Sequence, residues 1–384
     1  MCSNPQTIPN PNYGCQDKGF GFMKDCVSKF ITVPCGHCSE CIANKQMQLV
    51  QRIQMEELHN HLFFASITYN DDMMPYVVCS NGYQIRFADK HDVQSMMKRL
   101  RKSNAFGRPF RYLAVSELGK KRGRPHFHII FFLPKYPKDD FNTCLNLEYL
   151  LFNKVLEEWK RNVSTNFIEF RGKLVQDWRN PVWKPLCTYV RKFVRGELRT
   201  NYDLHYVNPR TSDGGTADVG FYVLKYMMKP SDRVKRLQQA LHLNLDVEEY
   251  EKIWSLVKPD VFYSLHFGLA GDGKRKDWKP SQLIVDYVKD SISKSKKTSN
   301  YPEFINPVDG KHFPLSRFYK SKGDIYSVDD ALDFFYFNKK ARADNVVIKE
   351  EYDPKQIISK ESAFVSKVSD IDLKQDSVDF DDLF

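Results

Sequence analysis

The sequence predicts an α+β fold: a central, mostly antiparallel sheet with helices packed on one face. Three observations carry that expectation. Two apolar, aromatic runs, Arg111–Leu118 and His126–Leu133, flank the turn Gly119–Pro125 and read as a hairpin. A third run, Leu62-Phe-Phe-Ala-Ser-Ile-Thr-Tyr69, has the same β-branched and aromatic character. Between and around them lie stretches with apolar residues at helical spacing.

The elements follow in order. Residues 1–38 are turn-rich and Cys-bearing, with Pro5, Pro9, Pro11 and Pro34. From Ser39 to about Asn60 breakers are few, and Ile42, Leu49, Ile53 and Met55 mark a helix. The strand from Leu62 ends at the turn Asn70-Asp71-Asp72. Asp89 to Lys102 is a helix with Val93, Met96, Met97 and Leu100 inward and Asp89 as N-cap. Its other face carries Lys98, Arg99, Arg101 and Lys102. After the hairpin, residues 146–162 read as a helix through Leu147, Leu150, Leu151, Val155, Leu156 and Trp159. Residues 166–210 read as strands and loops, and Ala217 to Lys229 as a helix stopped by Pro230. Residues 231–257 are helical again. Past Pro259 the chain is mixed, with Gly268, Gly271 and Gly273 close together and a Lys-rich run, 289–297, expected to be a solvated helix face. Beyond about Asp353 a polar, acidic tail is expected to be disordered. His59, His61 and His91 are expected at the surface.

Composition bounds the partners. The 384 residues hold 58 Lys and Arg against 48 Asp and Glu, a balance of +10. Residues 370–384 alone carry −5, so the rest carries +15 and expects a polyanion, nucleic acid before membrane. The densest basic stretch, 90–125, has eleven Lys or Arg and two acids. Hydrophobic residues at 42% exclude wholesale disorder. No run approaches eighteen apolar residues and the N-terminus has no signal pattern, so a soluble, intracellular protein is expected. Of nine Cys, three crowd at Cys35, Cys38 and Cys41. In a reducing compartment that spacing suggests a metal rather than disulfides. The trio is one thiolate short of a tetrahedral zinc site, which Cys2, Cys15, Cys26 or His37 could complete. An iron–sulfur reading lacks a fourth Cys soon after position 41, and three metal-free thiols are the plain alternative.

Two constellations carry chemistry. His126-Phe127-His128 lies in a predicted strand, so both imidazoles project to one face while Phe127 and Ile129 face the core. With a turn centred near Lys121–Arg122, Glu117 falls opposite His126 or His128 on that face. Two imidazoles and a carboxylate suit a divalent ion that polarises a phosphate. A lone His-x-His also occurs on surface strands with no ion. Tyr222-Val-Leu-Lys225-Tyr226-Met-Met-Lys229 places positions 222, 225, 226 and 229 in one helical stripe, with Leu224, Met227 and Met228 towards a sheet. A Tyr hydroxyl attacks a phosphodiester when an ion activates the phosphate and cations hold the developing charge. Taken alone, two half-buried packing Tyr would look the same.

Together these segments resemble the HUH endonucleases, and most closely the replication initiator proteins of microviruses. Four stretches carry the resemblance: Val33-Pro-Cys-Gly-His-Cys-Ser-Glu-Cys41, Phe64-Ala-Ser-Ile-Thr-Tyr69, Glu117 to Phe131, and Tyr222-x-x-Lys225-Tyr226-x-x-Lys229. Glu117-Leu-Gly119 stands where many members read Glu-Tyr-Gly, which leaves the acid in place. The resemblance implies a Cys-bearing lead with a possible zinc site (Cys2, Cys35, Cys38, Cys41) over 1–60, an HUH domain over 61–230, a helical and mixed extension over 231–352, and the tail 353–384. It implies a rolling-circle initiator. Tyr222 or Tyr226 would nick single-stranded DNA at an origin, forming a 5′-phosphotyrosine, and the other Tyr would later act in strand transfer and ligation. Lys225 would stabilise the phosphate or leaving group. Glu117, His126 and His128 would hold Mg or Mn. Lys120, Lys121, Arg122, Arg124 and Lys229 would contact DNA. Host helicase and polymerase would be partners in the bacterial cytoplasm, with no membrane involved. No phosphate loop of the Gly-x-x-x-x-Gly-Lys-Ser/Thr type is present, so no fused helicase is expected. A relaxase or single-strand transposase would share the metal motif, and a non-catalytic zinc-bearing nucleic-acid-binding protein would share the charge and the Cys cluster.

Overall fold

A computed structural model of the chain describes residues 3–9, 30–36, 38–119, 123–165, 167–170, 173–176, 179–194, 197–207, 220, 223–224, 232–270, 280–298, 303–305, 312–314 and 316–320. Tyr222, Lys225, Tyr226, Lys229, Lys120, Lys121, Arg122, Cys2 and the acidic tail lie outside the described residues. The chain divides into two units: Met1–Thr7 with Thr32–Ile284 and Phe384, and Ile8–Ile31 with Val285–Leu383.

The first unit is built on a five-stranded sheet: β1 (Asn60–Thr68), β2 (Arg111–Leu118), β3 (Pro125–Pro134), β4 (Tyr202–Val207) and β5 (Val261–Tyr263). Their order is β4-β1-β3-β2-β5, and every neighbouring pair is antiparallel. The His-bearing strand β3 is central, as its near-continuous apolar run requires, because strands covered on both faces lose the polar alternation. The fold is α+β, as the sequence predicts. The fifth strand comes from the region after Pro259, and its Val261 pairs with Val115 of β2.

Alternation along the strands gives the sheet two different faces. On one, Phe63, Ala65, Ile67, Phe127, Ile129, Phe131 and Ala114 pack against helices α2 (Lys90–Lys102) and α3 (Phe141–Glu158). Val93, Met96, Met97 and Leu100 of α2 are fully buried there, at the helical spacing read from the sequence. Asp89 caps α2 by accepting from the His91 N–H. Helix α3 starts earlier than expected, at Phe141, because Asp140 and Thr143 form a reciprocal capping box. It ends at Glu158, since Trp159 buries its ring beneath the sheet and donates Nε1–H to the Thr68 carbonyl.

The opposite face carries Leu62, Ile130, Phe132, Leu113, Val115 and Val207. Helix α1 (Ser39–Glu57) covers it through Leu49, Val50 and Ile53. Residues 220, 223 and 224 are helical, and Val223 and Leu224 join the same apolar cluster. A Cβ on Gly220 would come within 3.2 Å of Ile53 Cδ1, so this segment runs close against α1.

Helices α4 (Asp232–Asn244) and α5 (Val247–Val257) form a pair where one long helical stretch was expected. Asp246 caps α5 by accepting from Glu249 N–H. Val234, Leu237, Leu241, Ile253 and Val257 of the pair bury Leu118, Cys79 and Ile85. Helix α6 (Gln282–Thr298) contains the Lys-rich run, in which Lys294 pairs with Asp290 at the surface. In the second unit Glu303–Ile305 pairs antiparallel with His312–Pro314. No helix among the described residues is long and apolar enough to cross a membrane.

Candidate metal centre

The α1-covered face of the sheet also holds Glu117, His126 and His128, beyond the apolar cluster. Glu117 pairs directly across from His126 in the β2–β3 register, one of the two placements the hairpin spacing allowed. His128 is two residues further along β3 and projects to the same face. Both Nε2 atoms converge on a single carboxylate oxygen, Glu117 Oε2, at 2.9 Å from His126 and 3.0 Å from His128. All three donor atoms lie within 4.8 Å of one another.

Each donor is oriented by a neighbour. His126 Nδ1 lies 3.1 Å from the Arg124 carbonyl, which can only accept, so Nδ1 carries the proton. The neutral ring then points the Nε2 lone pair at a carboxylate oxygen, an arrangement that repels unless a proton or a cation sits between. His128 stacks on Phe64, with ring centroids 5.7 Å apart and planes 15° from parallel. Burial alone would raise the Glu117 carboxyl, but hydrogen bonds and charge from His126 and His128 bring it down to about 2. The cluster is thus an anion between two bases. Adjacent ligands on an octahedral ion with bonds of about 2.1 Å stand about 3 Å apart, which the two oxygen–nitrogen separations match. The donor set fits a divalent cation, and hard, weakly selective ions such as Mg or Mn suit it as well as zinc does.

Arg124 donates to the Tyr69 carbonyl at 2.7 Å and pairs with Asp71, so it ties the hairpin end to the turn after β1. Phe64 was not singled out as a site residue from the sequence. Its signal was its place in the strand motif, two residues from Ser66, which pairs with His128. His61, expected at the surface, is instead buried. It lies 3.0 Å from Asp139 and 3.4 Å from the Cys144 sulfur, because its strand is enclosed by α3. His91 is exposed, as expected.

The Cys trio sits at the start of α1. Cys35 Sγ and Cys41 Sγ are 3.9 Å apart, and the Cys38 N–H points at Cys35 Sγ at 3.3 Å. The Ser3 hydroxyl and the Cys41 N–H point at the Cys38 sulfur and lower its thiol to about 6. None of the three forms a disulfide.

A sheet of this order, with an acid and two imidazoles on its central hairpin, defines a protein with a metal-ready site beside a nucleic-acid-type charge surplus. Residues 62–231 match the model of the replication-associated protein ORF2 family. The replication-associated protein ORF2 of Spiroplasma virus 4 is 27% identical over 138 residues, covering 35% of this chain and 40% of that protein. The replication-associated protein ORF4 of Chlamydia phage 1 is 31% identical over 103 residues, covering 26% of this chain and 24% of that protein. The matched part spans less than half the length of either relative. The resemblance to microvirus replication proteins is thus borne out over that segment. No solved structure matches the chain.

Proposed function

We propose that the chain initiates replication of a viral genome by nicking single-stranded DNA and rejoining it through a phosphotyrosine link. The observation that supports this best is the convergence of His126 and His128 on one oxygen of Glu117, on a strand pair inside the segment shared with replication-associated proteins. A bound Mg or Mn ion would withdraw charge from a non-bridging phosphate oxygen. The chain's own residues supply the rest. The hydroxyl of Tyr222 or Tyr226 attacks phosphorus, the bond to the 3′ oxygen breaks, and that oxygen takes up a proton as the phenol loses its own. One phosphoester bond is exchanged for another, so no triphosphate is consumed. The second Tyr reverses the exchange when the origin is regenerated, and the released strand is closed.

In a helix that buries Val223 and Leu224, positions 222, 225 and 229 fall on the side away from the core. There Lys225 would face the charge that develops on the phosphate, and Lys229 would hold the strand. Lys120, Lys121, Arg122 and Arg124 would extend the basic track along the hairpin end. Host helicase and polymerase would extend the free 3′ end in the bacterial cytoplasm.

The test is a covalent adduct. Labelled single-stranded DNA is incubated with the chain and Mn, then run on a denaturing gel. A shifted band is expected, weaker in Tyr222→Phe and in Tyr226→Phe, absent in the double variant, and absent in His128→Ala. An adduct that persists in the double variant would move the nucleophile elsewhere. A chain that retards DNA yet never forms an adduct would be a binding protein.

A further inference from the structure

We propose that Cys35, Cys38 and Cys41, with Cys2 as the fourth thiolate, hold one structural zinc ion that fastens the N-terminus to the start of α1. This site stands apart from the Glu117 centre in chemistry: four soft sulfurs against mixed nitrogen and oxygen.

Four observations carry the proposal. First, the three sulfurs lie within 4.8 Å of one another. In tetrahedral zinc thiolates with bonds of about 2.3 Å the sulfurs stand about 3.8 Å apart. The Cys35–Cys41 separation of 3.9 Å matches that spacing and is far from a disulfide bond. Second, the backbone is arranged to stabilise sulfur anions. The Cys38 N–H is aimed at Cys35 Sγ, and the Cys41 N–H at Cys38 Sγ. Each x-x-Cys step therefore turns a donor onto the preceding sulfur. Third, the trio occupies the first turn of a 19-residue helix, with Cys38 as its N-cap and no side-chain cap bond there. The exposed N–H groups and the positive end of the helix favour thiolates at that place. Uncompensated, three thiolates so close would repel one another, and a divalent ion removes that cost.

The fourth observation is Ser3, which points to the last ligand. Its hydroxyl and its N–H both point at the Cys38 sulfur. Cys2 is its chain neighbour, and adjacent Cα atoms are about 3.8 Å apart, within reach of the trio. Cys79, Cys144 and Cys187 are committed elsewhere, buried in the apolar cores of other elements.

The test uses the full chain, purified from a bacterial cytosol in reducing buffer and dialysed before its metal content is measured by mass spectrometry. One zinc per chain is expected, falling to none in Cys35→Ser and in Cys38→Ser, and lost on the same dialysis in Cys2→Ser. The pair His126→Ala with Glu117→Gln should leave zinc content unchanged, which separates this site from the proposed nicking centre. Replacing zinc by cobalt should give the intense near-ultraviolet band of thiolate-to-cobalt charge transfer in the unsubstituted chain. That readout stands even if a Cys variant fails to fold. Any of four results would overturn the proposal: a chain without zinc, iron in its place, cobalt with no thiolate band, or a Cys2→Ser variant that keeps zinc as the parent does.

Discussion

Replacing Glu56 by Ala should cost more stability than any other single change in α1. Its carboxylate is fully buried. It accepts from Arg111 Nε at 3.0 and 3.1 Å and pairs with the second guanidinium arm at 3.0 Å. Asn60 Nδ2 at 2.8 Å and the Gly268 N–H at 2.6 Å use its remaining lone pairs. One side chain thus joins α1, the start of β1, the start of β2 and the loop after β5. Its loss leaves the Arg111 guanidinium, 17% exposed, without its anion. Breaking a buried pair from one side costs about 3–5 kcal/mol, and an orphaned buried N–H adds about 1. Domains are stable by roughly 5–15 kcal/mol, so a large share would go. Urea unfolding followed by far-ultraviolet circular dichroism at neutral pH measures it. The pair Glu56→Ala with Arg111→Met should recover about 2 kcal/mol, because the unpaired cation is removed with its partner. A single-variant cost below about 1 kcal/mol, or a double variant no better than the single, would refute the reasoning.

Three further outcomes follow from other contacts. Gly268→Ala should destabilise by about 1–3 kcal/mol in the same assay, because φ is +92° and a Cβ would stand 2.8 Å from Arg52 Cβ and Cγ. Asp139 sits under Arg108 and His61: burial alone would raise its carboxyl, but Arg108, the Tyr136 N–H and His61 bring it down to about 2 from 3.8. A pKa depressed by folding gives stability that is full above about pH 4 and lost as pH falls towards 2. Urea midpoints measured across that window should fall steeply in the parent and less in Asp139→Asn. Asp140→Ala removes the capping box of α3 and should cost about 1 kcal/mol, read as a lower thermal midpoint.

What was legible in the sequence was whatever local pattern decides. The hairpin, the Asp89 cap, the inward set of α2 and the shared face of Glu117, His126 and His128 all depend on residues within about a dozen positions of one another. The start of α3 was missed because Asp140-x-x-Thr143 closes its box with a hydroxyl, a weaker signature than the usual Glu or Gln. The fifth strand was missed because Val261–Tyr263 is three residues long and pairs with a strand nearly 150 positions earlier. His61 looked like a surface residue because the group that encloses it, Asp139, arrives from 78 positions away. Glu56 looked like any acid on a helix for the same reason: Gly268, which it holds, lies 212 positions on. Tertiary partners decide such residues, and no local pattern announces them.

Strand β3 spends alternate residues on different tasks. Phe127, Ile129 and Phe131 fill the core beneath α2 and α3, while His126 and His128 face the other way. Chemistry and folding therefore draw on separate letters of one ten-residue word. A lineage could erase the imidazoles, or exchange them for other ligands, and still inherit a folded sheet. The reverse does not hold: a polar residue at 127, 129 or 131 would silence the site by dissolving the strand that presents it.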